Sequence, residues 1–532
     1  ARKELKLADY KLNTVAFSTF EDTKFDVGFK DIFAAWQSRH PSDIRKVAAY
    51  CVQDCVLVMR LDAAKGVLEQ TSMFARVAFT PVTTYLKRGV TVKCRNVFLH
   101  FSRQMGYAME ALGRKDDYVV NPRQMMTPEF WHRMGYKDVT AKDEFLLDHT
   151  PRPGESKDAR EERMKWLRGG TVLTPTRTQY FCVTGPESDH AVACEDFKSL
   201  YPSIVVGYNP SPETYVRVDN VPALQAAGVK MTRMESRCTP DGWHHFVADV
   251  GIPGTIGVMA VAERTFWLER LKAKSEMKSA YGNDWAHYGN RNRKQLALKL
   301  QMNAMFGYFG SPNTSFGSWP VADAITTKGG VMIRECIAHC VSKGFIVVYG
   351  DTDSVFVTRR GLAAKDAWPV MTQLANELSA LFPPPIDGVG IEMEMEKIYG
   401  VICFRGGKMK KYSGRYAEKE KEFRAFLYDG GELTGKESKG DNSIKRDSCV
   451  LLREVSSAMN DWVFGARPSF ADAVAILQRV LLDIVNNEVP LEKYAQTKAL
   501  KSAVSYKNPV EHLVIMWAMQ NRSSGSEPRI GD

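Results

Sequence analysis

Residues 345–357 constrain the fold more than any other stretch of the chain. They read FIVVYGDTDSVFV, with apolar β-formers on both sides of a short turn that contains Gly350, Asp351 and Asp353. This pattern predicts two strands joined by a tight turn. Two carboxylates in such a turn usually mark only a solvated hairpin tip. Buried strands on both sides would nevertheless hold them rigidly, and rigid oxygen ligands suit Mg²⁺, which requires near-octahedral coordination.

A third carboxylate, Asp196, lies in the segment CEDFKSLYPSI, where an apolar strand ends and a helix-like segment begins at Ser199. An aspartate in this position is often only a helix cap. Together with Asp351 and Asp353, however, it completes the set of carboxylates that phosphoryl transfer by two metal ions requires. The sequence therefore predicts a two-Mg²⁺ site built from distant segments.

Cations for a phosphate occur on two predicted helices, Glu263–Ser279 and Asn290–Tyr308, with a Gly/Asn-rich turn between them. A stripe at i, i+4 and i+8 on the first helix consists of Arg270, Lys274 and Lys278. A similar stripe on the second consists of Gln295, Lys299, Asn303 and Gly307. These stripes are either solvated polar faces or the faces of a mobile hairpin that closes on a triphosphate.

Composition sets wide limits. The chain has 532 residues, enough for three or more domains, and a formal charge of +10. Residues 405–424 hold eight Lys/Arg against three Glu, half of that excess, which fits either a solvated loop or a phosphate-backbone contact. The ten cysteines form no CxxC pair, so buried thiols in a reducing compartment are favoured over a metal site at Cys336, His339 and Cys340. No apolar run approaches the length of a membrane span.

The remaining segments are predicted less sharply. A helix is predicted over Asp43–Ala64, with Tyr50 and Asp54 four residues apart on one face. They are either a surface hydrogen-bonding pair or an acidic metal ligand with an aromatic neighbour. A domain boundary is expected near residue 166, and residues 218–245 show no clear pattern. Further predicted elements are a helix at Val370–Leu381, a strand at Ile391–Ile398 and mostly helical structure from Phe470 onward.

Three segments, DFKSLYPSI, KLQMNAMFG and YGDTDSVF, resemble in their order and spacing motifs A, B and C of the family B DNA polymerases. The resemblance is closest to the eukaryotic delta-like and large-DNA-virus branch, including herpesvirus-like members. It extends to shorter segments. YCVQD at 50–54 resembles the third proofreading-exonuclease motif, GGTV at 169–172 the linker motif, and LERLKAK at 268–274 the first fingers helix. KKY at 410–412 resembles the primer-gripping motif, and KRD at 445–447 and GSEPRIGD at 525–532 resemble thumb sequences.

The resemblance implies an α/β multidomain, right-hand polymerase fold. Its palm would be an antiparallel sheet with helices, its fingers helical and its thumb mostly helical, preceded by the C-terminal part of an RNase H-like 3′–5′ exonuclease domain. The implied ranges are exonuclease and connection 1–165, palm 166–260, fingers 261–310, palm 311–415 and thumb 416–532. The other acidic motifs of a proofreading site do not occur, so the chain is expected to be a piece of a longer polymerase, cut at both ends.

The resemblance also implies roles for individual residues. Asp196 and Asp353 would ligate both Mg²⁺ ions with the backbone of Phe197, and Asp351 would assist nearby. Tyr201 would be the steric gate against ribonucleotides. The incoming dNTP would be bound by Arg270, Lys274, Lys299 and Asn303, and the primer–template DNA by Lys410, Lys411, Tyr412 and Arg446. Tyr50 and Asp54 would be remnants of the exonuclease site.

Motif B departs from the usual family pattern. Phe306 stands where the family usually has tyrosine, so a hydroxyl contact near the nascent base pair is absent while the ring is kept. The implied partners are primer–template DNA, dNTPs and a processivity factor, and the implied location is the nucleus or a site of viral DNA replication.

Two alternatives compete with a DNA polymerase. A catalytically inactive, DNA-binding scaffold has no reason to keep Asp196, Asp351, Asp353, Lys299 and Asn303 together. A reverse transcriptase or RNA polymerase with a similar palm is disfavoured by YGDTDS in motif C combined with the exonuclease-like segment at residues 50–54.

Overall fold

The computed structural model describes residues 11–107 and 172–522, except for 237–238, 240–241, 253, 312–313, 386–387, 446–447, 466–469 and 497–510. The predicted boundary near 166, Gly169–Thr171 of the linker motif, Arg446 and the segment at 525–532 lie outside the described residues.

The described chain contains sixteen α-helices, numbered here in chain order. Six precede the first strand: α1 Leu12–Phe20, α2 Phe29–Ser38, α3 Pro41–Lys65, α4 Val67–Val77, α5 Val82–Lys87 and α6 Val90–Gln104. Six lie in the central part: α7 Leu200–Tyr208, α8 Val221–Ala226, α9 Val258–Ala280, α10 Trp285–Phe309, α11 Trp319–Ser342 and α12 Ala364–Ser379. The last four are α13 Glu420–Tyr428, α14 Val450–Val463, α15 Phe470–Val485 and α16 Glu511–Arg522. None of these described helices is long and apolar enough to cross a membrane.

Ten strands form two antiparallel sheets in the described part of the chain. They are β1 Gln179–Cys182, β2 Val192–Phe197, β3 Tyr215–Val216, β4 Met231–Glu235, β5 Trp243–Val247, β6 Ile346–Asp351, β7 Ser354–Thr358, β8 Met393–Phe404, β9 Tyr412–Ala417 and β10 Gly435–Lys439. The large sheet has the order β10-β9-β8-β2-β7-β6, with β1 also paired to β8. The small sheet has the order β3-β5-β4.

The two faces of the large sheet have different partners. On one face α11 packs on β6 and β7, α12 packs on β8, and the apolar side chains join the main core. The other face carries a separate cluster rich in aromatic rings: Val192, Cys194, Val348, Tyr349, Phe356, Tyr399, Ile402, Phe404 and Tyr412. Because side chains alternate along a strand, Asp196 follows Val192 and Cys194 onto the face of this aromatic cluster.

A long helical hairpin, α9–α10, packs against α6 through both of its helices and against α4 through α10. The prediction put the turn at residues 282–289, but it spans only Tyr281–Asp284. Asp284 explains the difference, because its Oδ1 accepts a hydrogen bond of 2.9 Å from the backbone N–H of His287 and so starts α10 at Trp285.

Three other predicted elements differ from the structure. Residues 218–245, which showed no clear pattern, contain β4 and the first part of β5, which form the small sheet with β3; its strands are only two to five residues long. The helix predicted from Val370 begins at Ala364 and contains Pro369. The strand predicted to end at Ile398 continues to Phe404, because β1 and β9 pair with its second half.

The aromatic cluster is expected to contribute strongly to stability. Phe356 is 1% exposed, and its ring centroid lies 5.3 Å from that of Tyr412 and 5.5 Å from those of Tyr349 and Phe404. Phe356→Ala should therefore lower the free energy of unfolding by about 3–5 kcal/mol, measured by urea denaturation. Tyr428→Ala, at a ring that is 56% exposed, serves as the control and should cost less than about 0.5 kcal/mol. Similar losses in both variants would contradict this assignment.

Candidate active site

Strand pairing brings the three predicted carboxylates to one end of the large sheet. Asp196 lies opposite Ser354 in the β2–β7 register, and Asp351 lies opposite the same serine in the β6–β7 register. The backbone N–H of Phe197 donates a 2.9 Å hydrogen bond to the carbonyl of Asp353. The end of β2 is therefore tied directly to the predicted hairpin turn.

The turn between β6 and β7 is unusually tight. Thr352 has a φ of +62°, and the N–H of Asp353 donates to the carbonyl of Asp351 at 2.6 Å. A β-branched residue rarely adopts positive φ, which costs free energy that the flanking strands must offset. In return, the tight turn holds Asp353 beside the end of β2, where its backbone carbonyl accepts the hydrogen bond from Phe197.

Asp196 and Asp353 behave as a coupled pair of carboxylates. Burial, reinforced by the negative charge of Asp353, raises the pKa of Asp196 to about 8. Burial also raises the pKa of Asp353, with a smaller contribution from Asp351. Because the pKa of Asp196 lies above neutral pH, a nearby cation is needed to keep this carboxylate ionised there, and the pKa of Asp353 is shifted in the same direction.

Asp351 has polar partners of its own. Its Oδ1 lies 3.1 Å from Nζ of Lys410 and accepts a 3.2 Å hydrogen bond from the hydroxyl of Thr352. The backbone N–H of Lys410 in turn donates to the hydroxyl of Tyr349 at 3.0 Å. Lys410, predicted to contact DNA, therefore contacts the hairpin turn of motif C.

The oxygen chemistry of Asp196 and Asp353 fits a hard divalent cation such as Mg²⁺. Among the described residues, however, no group of three or more His, Cys, Asp or Glu side chains is arranged to hold a metal ion. The third predicted carboxylate, Asp351, forms an ion pair with Lys410 instead. The fit therefore rests on two side chains and on the backbone ligand that the resemblance implies for Phe197.

The cations predicted on the helical hairpin cluster in space. Burial lowers the pKa of Lys274, and the positive charges of Arg270, Lys299 and Lys278, which all lie nearby, lower it further. Arg270 is half-buried, which lowers its pKa, and its Nε is buried with no hydrogen-bond partner. Asn303 is exposed one turn beyond Lys299 on α10.

Glu394 links the hairpin cations with the carboxylates. It lies opposite Asp196 in the β2–β8 register, and its charge acts on both Arg270 and Lys274. The cationic side of α9 therefore faces the end of the sheet where Asp196 lies. This is the arrangement that the sequence predicted for a triphosphate between the two.

Tyr201, the predicted steric gate, contacts the aromatic residue of motif B. Its ring centroid lies 4.4 Å from that of Phe306, with the planes at 46°. Gly329 of α11 gives it room on the other side, because a Cβ there would lie 3.3 Å from Cε1 of Tyr201. The ring is thus fixed between α10 and α11, five residues after Asp196.

The other predicted DNA contacts differ in exposure. Lys411 is partly exposed, whereas Tyr412 is 5% exposed and belongs to the aromatic cluster. Its hydroxyl donates to Oε1 of Glu437 at 3.4 Å. Tyr412 therefore packs inside the aromatic cluster and does not extend from the protein surface.

Tyr50 and Asp54 of α3 are joined by a lysine that the sequence did not single out. Nζ of Lys24 lies 2.7 Å from Oδ2 of Asp54 and 3.0 Å from the hydroxyl of Tyr50. The surface-pair interpretation expected Tyr50 and Asp54 to bond to each other, whereas the structure joins them through Lys24. The other carboxylate oxygen of Asp54 is buried and makes no hydrogen bond.

Sequence reasoning missed the acidic residues of β8. Glu394 and Glu396 both act on Asp196, and Lys198 pairs with Glu392 at 2.8 Å and with Glu394 at 3.5 Å. The signal was present in the segment IEMEMEK, whose alternation places these acids at regular intervals along a predicted strand.

Comparisons with known proteins agree with this fold. The sequence model of DNA polymerase family B matches residues 87–532. The chain therefore belongs to DNA polymerase family B, which confirms the resemblance seen in motifs A, B and C.

The chain is 25% identical over 540 residues to the DNA polymerase delta catalytic subunit of Dictyostelium discoideum, and 26% identical over 541 residues to that of Bos taurus. Each match covers 100% of this chain and 41% of the relative, so the chain spans about two fifths of their length. A family B DNA polymerase from Pyrobaculum calidifontis has the same fold, with a TM-score of 0.53 and 18% identity over 98% of this chain and 55% of the other.

Proposed function

We propose that this chain carries the catalytic centre of a template-directed DNA polymerase that adds dNTPs to a primer 3′-OH during replication. The observation that carries the proposal is the coupled Asp196–Asp353 pair facing the cationic side of α9. An inactive scaffold is not favoured, because it would bury two mutually repelling carboxylates without any benefit to folding.

The carboxylates would hold the metal ions of the reaction. Asp196, Asp353 and the carbonyl of Phe197 would bind two Mg²⁺ ions, which when bound stabilise the attacking and leaving oxygens of phosphoryl transfer. The tie from Phe197 to the turn keeps the two carboxylates together. Lys410 would hold Asp351 beside the pair and offset part of its negative charge.

The helical hairpin would bind the triphosphate. Arg270, Lys274 and Lys299 place their positive charges close to one another at a cost that an anionic ligand would remove. Asn303 continues the face of Lys299 toward the nucleotide. Tyr201, supported by Phe306, would lie under the sugar and exclude a 2′-OH.

Primer extension by the full-length protein tests the proposal. DNA and RNA templates should each be offered with dNTPs and with rNTPs. We expect extension on a DNA template with dNTPs; DNA binding without extension would support the scaffold, and a preference for rNTPs or RNA templates would indicate another palm enzyme.

Lys299→Ala should raise the KM for dNTPs at least about tenfold, because it removes a charge that binds the triphosphate. The Kd for primer–template, measured by fluorescence anisotropy, should change less than about twofold. Lys294→Ala is a matched control on the same helix, since Lys294 is paired with Glu269 at 2.9 Å. An equal loss of dNTP use and primer binding in the Lys299 variant would remove its proposed role.

The domain ranges are proposed on the same basis. Residues 1–165 would belong to the exonuclease domain and connection, 166–260 and 311–415 to the palm, 261–310 to the fingers, and 416–532 to the thumb. The pairing of β10 with β9 supports extending the palm sheet to Lys439. Tyr50 and Asp54 would be exonuclease-site residues, so we infer that the parent protein proofreads.

The remaining partners are inferred from the relatives. Their description as catalytic subunits supports further subunits, of which we propose that one increases processivity. Replication would take place in the nucleus, or at a viral replication site if the chain is of viral origin. Lys411 and Arg446 would hold the primer–template backbone without reading its sequence.

A further inference from the structure

A buried lysine lies behind the carboxylate pair, that is, on the same face of the large sheet as Asp196 but further from the end of β2. Lys397 is opposite Cys194 in the β2–β8 register, two residues before Asp196, and is 8% exposed. Its Nζ lies 2.7 Å from Oε2 of Glu437 and 3.1 Å from Glu396. A buried ammonium needs such partners, because burying an unpaired charge costs several kcal/mol.

Glu437 is the centre of this network. Its Oε2 accepts a 2.6 Å hydrogen bond from the hydroxyl of Tyr399, and its Oε1 lies 3.4 Å from Nζ of Lys439 and accepts a hydrogen bond from Tyr412. Tyr399 is fully buried. One carboxylate of an edge strand therefore joins β8, β9 and the lysine behind Asp196.

A glycine permits Glu437 to reach this far. Gly414 lies between Glu437 and β8, opposite Glu437 in the β9–β10 register and opposite Ile402 in the β8–β9 register. A Cβ at Gly414 would lie 2.5 Å from the carbonyl oxygen of Val401. No side chain fits there, so the carboxylate of Glu437 can extend across β9 to Tyr399 and Lys397 on β8.

The charges in the network act on the carboxylate pair. Burial most strongly disfavours the ionised form of Asp196, the charges of Asp353, Glu396 and Glu394 add to this effect, and Lys397 is the cation that opposes it. The position of the Lys397 ammonium group is therefore one of the factors that set how negative Asp196 is. Glu437 determines that position, because it is the nearest partner of Lys397.

We propose that Glu437 is a positioning residue, which holds the Lys397 ammonium behind Asp196 and away from the space between Asp196 and Asp353 that a divalent cation would occupy. Without the Glu437 charge, Lys397 is drawn toward the remaining carboxylates and competes with the cation. This inference rests on the proposed function, because it assigns the carboxylate pair to metal binding.

The test compares four forms of the full-length protein: wild type, Glu437→Gln, Lys397→Met and the double variant. Mn²⁺ binding is measured by electron paramagnetic resonance with a dideoxy-terminated primer–template and dNTP, and Mg²⁺ dependence by primer extension. Glu437→Gln should raise the half-saturating concentration of both ions about three- to tenfold. Adding Lys397→Met should return it to within about twofold of wild type, because the competing charge is gone.

A matched control is Glu432→Gln, which removes an exposed carboxylate from the loop before β10. Glu432 contacts only Arg415 among the described residues, at 3.7 Å, so its loss should leave ion dependence unchanged. If Glu437→Gln unfolds below the assay temperature, Tyr399→Phe keeps the ion pair but removes one hydrogen bond to Glu437. It should give a smaller increase in the same direction.

Two outcomes would overturn the inference: ion dependence in Glu437→Gln equal to that of wild type, or an equal increase in the single and double variants. A wild-type protein that extends no primer would count against the proposed function instead. In that case the Mn²⁺ measurement still decides the role of Glu437.

Discussion

Asp353→Asn is expected to reduce primer extension at least about 10³-fold, equivalent to roughly 4 kcal/mol of transition-state stabilisation. The substitution removes one negative charge from the Asp196–Asp353 pair and leaves the size of the side chain unchanged. The backbone carbonyl that accepts from Phe197 is retained, so the turn should keep its shape. Single-turnover extension on a DNA template, with the protein in excess, measures the loss.

DNA binding should change little in the same variant. The phosphate backbone is bound by lysine and arginine side chains, and a carboxylate contributes only repulsion. The Kd for primer–template should therefore stay within about twofold of wild type. Asp429→Asn is the matched control, since Asp429 is exposed at the end of α13. Near-normal turnover in Asp353→Asn would refute the assignment of this carboxylate.

Tyr201→Ala has the second largest expected effect, on sugar selection rather than on rate. Removing the ring opens the space beside Phe306. We expect discrimination against ribonucleotides, measured as the ratio of kcat/KM for dCTP and CTP, to fall about 10²-fold, or roughly 2.7 kcal/mol. Extension with dCTP should fall much less than the discrimination does.

Tyr201→Phe is the matched variant for this prediction. It keeps the ring and removes only the hydroxyl, so steric exclusion of the 2′-OH should persist. If Tyr201→Ala leaves sugar discrimination unchanged, another residue excludes the ribose. If Tyr201→Phe loses discrimination as fully as Tyr201→Ala, the hydroxyl rather than the ring is responsible.

Local sequence was sufficient for several elements because their signals are short-range. The β6–β7 hairpin follows from strand-forming residues on both sides of a tight turn, and α9 and α10 follow from helical periodicity. The predicted ends of helices and strands were wrong where a single capping side chain or pairing with a distant strand sets the end. Asp284 caps α10 earlier than the glycines suggested, and β8 continues because two other strands pair with it.

The candidate site was predicted in parts. The carboxylates and cations were identified from their residue types, their spacing and the resemblance to family B polymerases. The ion pairs of Asp351 with Lys410 and of Lys397 with Glu437 could not be predicted, because each joins residues 40 or more positions apart in the chain. Nothing in the local sequence indicates which of many lysines and glutamates will meet.

The sequence alone determined the family, the acidic turn and the helical hairpin, and it supplied the candidate site residues, since these depend on residue type and on neighbours within a few turns or strands. Only the tertiary structure decided that Asp196 joins Asp353 while Asp351 pairs with Lys410, and that Lys397 is buried behind them. The physical reason is that burial and charge pairing are set by which strands lie side by side, and strand order depends on contacts throughout the chain.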